Sequence, residues 1–176
     1  MSRIRITGGE WRSRLIQVAD AQGLRPTPDR VRETLFNWLG QDLSGLRCLD
    51  LFAGSGVLGI EAASRGADHV VLVERERRPF LTLINQVEAF ASPRLEPICC
   101  DALKFSAVQL FDLVFLDPPY RQGWLERIAP RLPLLAKPDA VLYVEAEAPL
   151  TRLGDDWEVT RQGQAGQVFY HLLEQA

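Results

Sequence analysis

The sequence predicts an α/β fold: a doubly wound, mostly parallel sheet that ends in an antiparallel hairpin. Three observations carry this expectation. Beyond Arg47, short apolar runs alternate with helical stretches, as in consecutive βαβ units. The first such run, residues 48–51, leads directly into a glycine-rich loop that opens a helical stretch. The last two strand-like runs, "WEVTRQ" and "QVFYHLLE", are separated only by "GQAG". That leaves no room for a crossover helix, so the two must pair antiparallel.

The elements follow in order. Residues 3–18 read as two short strands, "RIRIT" and "RLIQV", joined by "GGEWRS", with Gly8 and Gly9 supplying the turn. In "GLRPTPDRVRETLFNWLG", Thr27 can cap a helix and Pro28 suits its first position. Val31, Leu35 and Leu39 recur every four residues, and Gly40 stops the helix. Strands are expected at 48–51, 69–73, 96–99, 113–116 and 140–144, with helical stretches near 57–65, 77–91 and 124–135. There is no internal repeat and no low-complexity linker. The expected organisation is an N-terminal hairpin extension over residues 1–22 and one α/β domain over 23–176.

Composition limits the classes of function. A chain of 176 residues with 47% hydrophobic content fits one ordinary domain, which buries roughly 70% of its unfolded surface. A net charge of −3 argues against a protein that grips nucleic acid by bulk charge. The distribution is uneven, however. Residues 1–32 hold seven arginines and three acids, a balance of +4, which leaves −7 for the remainder. A basic front on an acidic body fits an anionic partner engaged at one end, and equally fits a solvated face. No apolar leader or membrane-length run is present, so a cytoplasmic protein with no membrane partner is expected. Cys48, Cys99 and Cys100 have no metal-ligand spacing and read as buried free thiols in a reducing compartment.

The chemistry starts at "DLFAGSGVLG". Gly54, Gly56 and Gly59 satisfy the dinucleotide spacing, but Asp50 stands before them. A carboxylate at the mouth of this loop would repel a pyrophosphate and would welcome an ammonium group. S-adenosylmethionine carries that ammonium and a sulfonium, with no phosphate. A tight strand-to-helix turn without ligand would use the same glycines. Gly59 is expected inside the helix, serving packing. Glu74 ends the second strand, where a carboxylate can accept both hydroxyls of a ribose, in NAD or in an adenosyl group. Asp101 follows the third strand and can accept an adenine amino group beside the backbone of Ala102. His69 and His171 lie in strand-like contexts that favour structural roles.

The fourth strand ends in "DPPY". Pro118 and Pro119 stiffen the turn and have no N–H, so the local backbone offers acceptors. The Asp117 carboxylate and the Pro118 carbonyl can each accept a proton from an exocyclic amino group, while Tyr120 stacks on the ring. This turns the nitrogen lone pair toward an incoming methyl group. A sulfonium methyl is already activated, so alignment is the main requirement and no metal is needed.

In this order, "DLFAGSG", "VERE", "CCDAL" and "DPPY" resemble class I S-adenosylmethionine-dependent methyltransferases that act on amino groups. "RITGGEWRSR" followed by "LRPTPDRVRETLFNWL" narrows the resemblance to the RsmD family, the bacterial 16S ribosomal RNA guanine-N2 methyltransferases. The likeness runs from Arg3 to the final hairpin. It implies a Rossmann-like, seven-stranded, mostly parallel sheet preceded by a short hairpin and helix. It also implies S-adenosylhomocysteine as by-product and, as substrate, one guanine of 16S RNA in a small-subunit particle carrying ribosomal proteins. A cytoplasmic monomer is the expected form. By this resemblance Asp50, Phe52, Ala53, Gly54, Gly56, Glu74, Asp101 and Ala102 would line the cofactor, and Asp117, Pro118 and Tyr120 would hold the guanine. Arg12, Arg14, Arg25, Thr27, Arg30 and Arg32 would face RNA or close the cofactor pocket, although Arg30 or Arg32 could instead pair with a nearby acid. Three alternatives stand beside this reading: methylation of adenine N6 in DNA or of another RNA base, an NAD(P)-dependent oxidoreductase, and an RNA-binding protein without activity. A DNA enzyme would need a separate recognition region, an oxidoreductase should lack "DPPY", and the intact acids argue against loss of activity.

Overall fold

The computed structural model describes residues 2–18 and 27–176. Arg25 and the expected boundary between residues 22 and 23 lie outside the described residues. Strands β1 (Ser2–Arg5) and β2 (Leu15–Val18) form the antiparallel N-terminal hairpin. Helix α1 (Asp29–Leu39) follows and ends at Gly40, as the sequence predicts. The main body then alternates β3 (Arg47–Asp50), α2 (Val57–Ser64), β4 (His69–Glu74), α3 (Arg77–Phe90), β5 (Leu95–Cys99), β6 (Phe111–Leu116), α4 (Trp124–Ile128) and β7 (Ala136–Ala146). Strands β8 (Arg152–Leu153), β9 (Trp157–Ala165) and β10 (Val168–Gln175) complete the chain.

The large sheet has the order β5-β4-β3-β6-β7-β10-β9-β8. Its first five strands are parallel, and β10 runs antiparallel to both neighbours, β7 and β9. From β3 the chain winds outward to β4 and β5, then crosses back to β6 and β7. The direction of winding therefore reverses between β3 and β6, which opens a crevice at the carboxyl ends of these two strands. This is the Rossmann-like architecture of class I methyltransferases, with the closing hairpin expected from sequence.

Side-chain alternation explains why the sheet is sandwiched. Cys48, Val70, Leu72, Leu113 and Phe115 point into one apolar layer. Their neighbours Leu49, Val71, Val73, Val114 and Leu116 point into the other. Parallel strands need cover on both faces, and these read as continuous apolar runs for that reason. Pro97 sits in β5, an edge strand, where its missing N–H breaks no interior ladder.

Four details depart from the sequence reading. The two residues of β8 add an eighth strand to the expected seven. Strand β7 begins at Ala136, not at 140, since Ala136 pairs with Phe111 across an irregular register. The helical stretch over 124–135 is α4 followed by a 3-10 segment, Ala129–Leu134, because Pro130 and Pro133 withhold the N–H groups that an α-helix uses. Of the three free cysteines only Cys48 is buried; Cys99 is exposed and Cys100 partly so, because edge strand β5 runs out into solvent there.

The N-terminal hairpin shares the main core. Ile6, Trp11, Ile16 and Val18 are buried in the layer that contains α1, α2 and α3. The attachment is polar as well as apolar. Helix α2 is buried on every side, so its polar residues must find partners inside the protein. Glu61 accepts from the Thr7 N–H at 2.9 Å, the Thr7 hydroxyl at 2.8 Å and the Gly8 N–H at 3.2 Å. It also pairs with Arg32 Nη1 of α1 at 2.9 Å and lies 3.4 Å from Arg65 Nε. One buried carboxylate thus binds the hairpin, α1 and the end of α2. Ser64 completes the seam: its hydroxyl donates to the Gly8 carbonyl at 2.6 Å and accepts from the Trp11 N–H at 2.9 Å. The Ser64 carbonyl accepts from the Glu10 N–H at 2.7 Å.

Two outcomes are expected. Arg32→Met leaves the Glu61 charge buried without its partner and should lower stability by about 3–5 kcal/mol in urea unfolding, since breaking a buried pair strands an ion. A loss below about 1 kcal/mol would show that the other donors to Glu61 suffice. Gly9→Ala should also destabilise: Gly9 has φ +82°, and an added Cβ would lie 2.0 Å from the Ser64 carbonyl oxygen. An unchanged melting temperature would contradict that turn geometry.

Candidate functional site

The carboxyl ends of the five parallel strands carry a row of acids. Asp101, Glu74, Asp50, Asp117 and Glu145 stand at or just past the ends of β5, β4, β3, β6 and β7. Four of these were singled out from sequence. Glu145 was not, although "YVEAEAP" places it at the end of the fifth parallel run by the same reasoning that selected the others.

The glycine loop joins β3 to α2. The Ala53 N–H donates to the Val73 carbonyl at 2.8 Å, which lashes the loop to β4. The three glycines have three different reasons. Gly54 faces open space, with nothing within 4 Å of the place a Cβ would occupy. Gly56 is left-handed (φ +86°) at the start of α2, and an added Cβ would meet Leu83 at 2.6 Å. Gly59 lies inside α2, as expected, packed so closely that a Cβ would fall 2.7 Å from Leu72. Its N–H donates to Asp50 Oδ2 at 3.0 Å.

Asp50 is 1% exposed. Its second oxygen, Oδ1, is buried with no hydrogen-bond partner among the described residues. Burial pushes its pKa up to about 7; Glu74 and Glu145 add to the rise, and the Gly59 N–H opposes it. An unsatisfied buried acceptor beside an open glycine fits a cationic group better than a phosphate. Glu74 is held from both sides, accepting from the Gly54 N–H at 3.1 Å and the Glu76 N–H at 2.6 Å. Asp101 Oδ1 accepts from the Leu103 N–H at 2.8 Å, and Ala102 beside it is buried. Phe52 meets the buried ring of Trp124 edge-on, 5.5 Å between centroids. Arg127 covers that indole at 4.3 Å. Trp124 belongs to this wall of the crevice but carries no motif, so sequence alone gave no signal for it.

On the far side of the switch point, Asp117 begins the turn after β6, Pro118 is buried, and Tyr120 is 41% exposed at the rim. The Asp117 carboxyl is withdrawn from solvent and its pKa stands well above the carboxylate range, first through burial and then through Glu145 and Asp50. Tyr120 is pushed up to about 12, by burial and then by Asp117, Glu145 and Glu147, so its phenol stays neutral.

The N-terminal residues separate into two groups. Arg12, Arg14 and Arg30 are exposed. Arg14 donates to the Ala89 carbonyl at 2.9 Å and lies over the Phe90 ring at 4.1 Å. A groove of about 350 Å³ runs between Arg3, Arg5 and Leu15 of the hairpin and Thr27, Pro28 and Asp29 at the start of α1. Thr27 and Arg32 turn inward, and Arg32 takes the alternative of pairing with nearby acids. Arg32 is fully buried, with its guanidinium committed to Glu61, to Asp29 and to the carbonyls of Thr27 and Arg5. Thr27 is buried and does not cap α1; its hydroxyl donates to Glu145 at 2.7 Å, leaving Pro28 at the helix start without a side-chain cap.

The histidines are structural by their contacts. His171 is fully buried, its Nδ1 3.0 Å from the Val144 carbonyl and its Nε2 accepting from the Leu150 N–H at 3.0 Å, which assigns the neutral tautomer. His69 pairs with Glu96 at 2.7 Å at the amino-terminal ends of β4 and β5, away from the acid row. Among the described residues, no three His, Cys, Asp or Glu side chains converge as a metal-binding group, and no helix is long and apolar enough to cross a membrane.

Similarity to known proteins agrees with this geometry. Residues 4–174 match the family model described as conserved hypothetical protein 95. The chain is 42% identical over 179 residues to ribosomal RNA small subunit methyltransferase D of Escherichia coli strain K12, covering 98% of this chain and 90% of that one. It is 37% identical over 187 residues to the Haemophilus influenzae protein of the same name, covering 97% and 93%. The solved structure of the E. coli methyltransferase-fold protein yhhF superposes with a TM-score of 0.89 at 40% identity, over 99% of this chain and 98% of that one. With its acid row, its Asp-Pro-Pro-Tyr turn and these full-length likenesses, the chain belongs to the ribosomal RNA small subunit methyltransferase D (RsmD) family.

Proposed function

We propose that the protein transfers a methyl group from S-adenosylmethionine to the exocyclic N2 of a guanine in 16S ribosomal RNA. The observation that carries this reading is the corner Asp117-Pro118-Pro119-Tyr120, set across the switch point from the buried, unsatisfied Oδ1 of Asp50. The first offers acceptors and a ring face to an amino-bearing base. The second offers a carboxyl oxygen to an ammonium.

Asp50 would take the donor's ammonium, with Phe52, Ala53, Gly54 and Gly56 forming the loop beneath it. Glu74 would take the ribose, and Asp101 with the Ala102 backbone the adenine. When bound, the donor supplies a methyl group already activated on a sulfonium. The protein's part is alignment: Asp117 and the Pro118 carbonyl orient the amino group, and Tyr120 stacks on the base. At the rim, Arg12, Arg14 and Arg30, with the groove between the hairpin and α1, form the basic end that would meet RNA. That end is modest, which fits RNA presented in a small-subunit particle carrying ribosomal proteins better than a grip on free RNA by charge alone. Arg25 would belong to the same end.

Two measurements test this reading. With small subunits that lack the modification and labelled donor, nuclease digestion and mass spectrometry should reveal N2-methylguanosine at one site. Asp117→Ala should lower that transfer by about 100-fold or more while S-adenosylhomocysteine affinity changes only a few-fold. Product at adenine N6, or normal turnover by the variant, would refute the assignment.

The second is a pH dependence. A cation bound at Asp50 requires the ionised carboxylate, and in the free protein this group holds a proton below about pH 7. That proton must leave on binding, so calorimetric affinity for S-adenosylhomocysteine should fall about tenfold per pH unit below the titration and level off above it. Asp50→Asn should flatten the curve. A flat wild-type curve would remove Asp50 from the ammonium site.

A further inference from the structure

Glu145 is the fifth acid of the row, and the mechanism above gives it no role. It is 5% exposed. Strands β6 and β7 are parallel with Leu116 opposite Val144, so the next residues along, Asp117 and Glu145, emerge side by side. Burial, and then the Glu145 carboxyl that this register places beside it, raise Asp117 well above the carboxylate range. Two carboxyls set side by side and withdrawn from solvent cannot both ionise cheaply, so one of them holds a proton.

The surroundings decide which. Glu145 Oε1 receives the Tyr143 hydroxyl at 2.7 Å and the Thr27 hydroxyl at 2.7 Å. Both are donors, so this oxygen of Glu145 is engaged as an acceptor. Asp117 has the opposite setting: its carboxyl is desolvated and faces Glu145 from β7 and Asp50 from β3. Tyr120, on its own turn, stands near Asp117, Glu145 and Glu147, while Tyr170 of β10 acts on Tyr143. Glu145 Oε1 is thus occupied by two hydroxyl donors while Asp117 is the raised carboxyl, which assigns the pair's proton to Asp117.

We propose that Glu145 is a positioning residue, held by Thr27 and Tyr143, that makes Asp117 one half of a carboxyl pair sharing a single proton. The proposal rests on the reading of Asp117 as the acceptor for the substrate amino group. With its proton turned toward Glu145, Asp117 presents its other oxygen to that group as an acceptor. As the N–CH₃ bond forms, the sulfonium S–CH₃ bond breaks and its electron pair stays on the sulfur. The methylated nitrogen then carries one proton in excess. That proton passes to the free oxygen of Asp117 while the shared proton passes to Glu145. The pair goes from one proton and a single negative charge to two protons and none, the nucleobase returns to neutrality, and the extra proton later leaves to solvent. Thr27 ties this relay to the start of α1, beside the basic end of the chain.

The test follows the carboxyl carbons by NMR on isotope-labelled full-length protein, with Asp117 assigned by its loss in Asp117→Asn. In Glu145→Gln, which keeps an oxygen for Thr27 and Tyr143, the Asp117 midpoint should fall by about one pH unit or more, because the like charge is gone. If Glu145→Gln does not fold, Tyr143→Phe serves instead. Loss of one donor should raise the lower of the pair's two titration steps by about one unit. An unmoved titration in the variant used overturns the shared proton. In parallel, single-turnover transfer by Glu145→Gln should slow about tenfold or more, with its pH profile displaced along with the Asp117 midpoint and with S-adenosylhomocysteine affinity unchanged. An unaltered rate and profile overturn the positioning role. If wild-type protein transfers no methyl group, the functional reading fails, while the NMR midpoints still decide whether the pair exists.

Discussion

The buried carboxylate of Glu61 is the interaction on which the rest of the structure depends. Helix α2 follows the glycine loop and is enclosed on every side, so an acid inside it must be fully satisfied or the fold would not tolerate it. The hairpin satisfies it through Thr7 and Gly8, and α1 through Arg32. A segment that composition marks as a basic, outward-facing front is therefore pinned to the helix that begins at the candidate cofactor loop. Arg32 shows the result. By sequence it is one of seven arginines near the N-terminus; by structure it is a core residue.

A second constraint comes from topology. Parallel strands place their carboxyl ends along one edge, and here each of the five carries an acid at or just past its end. Burial raises Asp50 and Asp117, and repulsion among the carboxylates gathered in the crevice adds to the rise. The repulsion can be relieved in two ways: by a proton, or by a cation. The same edge therefore suits a ligand bearing an ammonium on one side of the switch point and proton-sharing carboxyls on the other. Electrostatic strain and binding chemistry have one origin in this site.

Most of the architecture was legible along the chain because it depends on local pattern. Apolar runs alternating with helical stretches marked five parallel strands, and "GQAG" left no alternative to a terminal hairpin. The misjudged details share a physical cause. Thr27 has a capping residue's chemistry, yet its hydroxyl serves Glu145, 118 positions away. The stretch before β7 has apolar periodicity, but two prolines tighten it into a 3-10 segment. Trp124 looks like any core aromatic until the fold stands it against Phe52 and beneath Arg127.

The sequence by itself determined the order of strands and helices, the loop with an acid before its glycines, and the acceptor-only corner at Asp117. Each is a property of neighbouring residues, set by backbone preference, side-chain periodicity and spacing. Only the tertiary structure decided which oxygens lack partners, which arginines reach solvent, and that Glu145 lies against Asp117. Those facts depend on burial and on contacts between distant segments. Burial decides whether a carboxyl at a given position is an ordinary surface acid or a group that must find a proton or a cation.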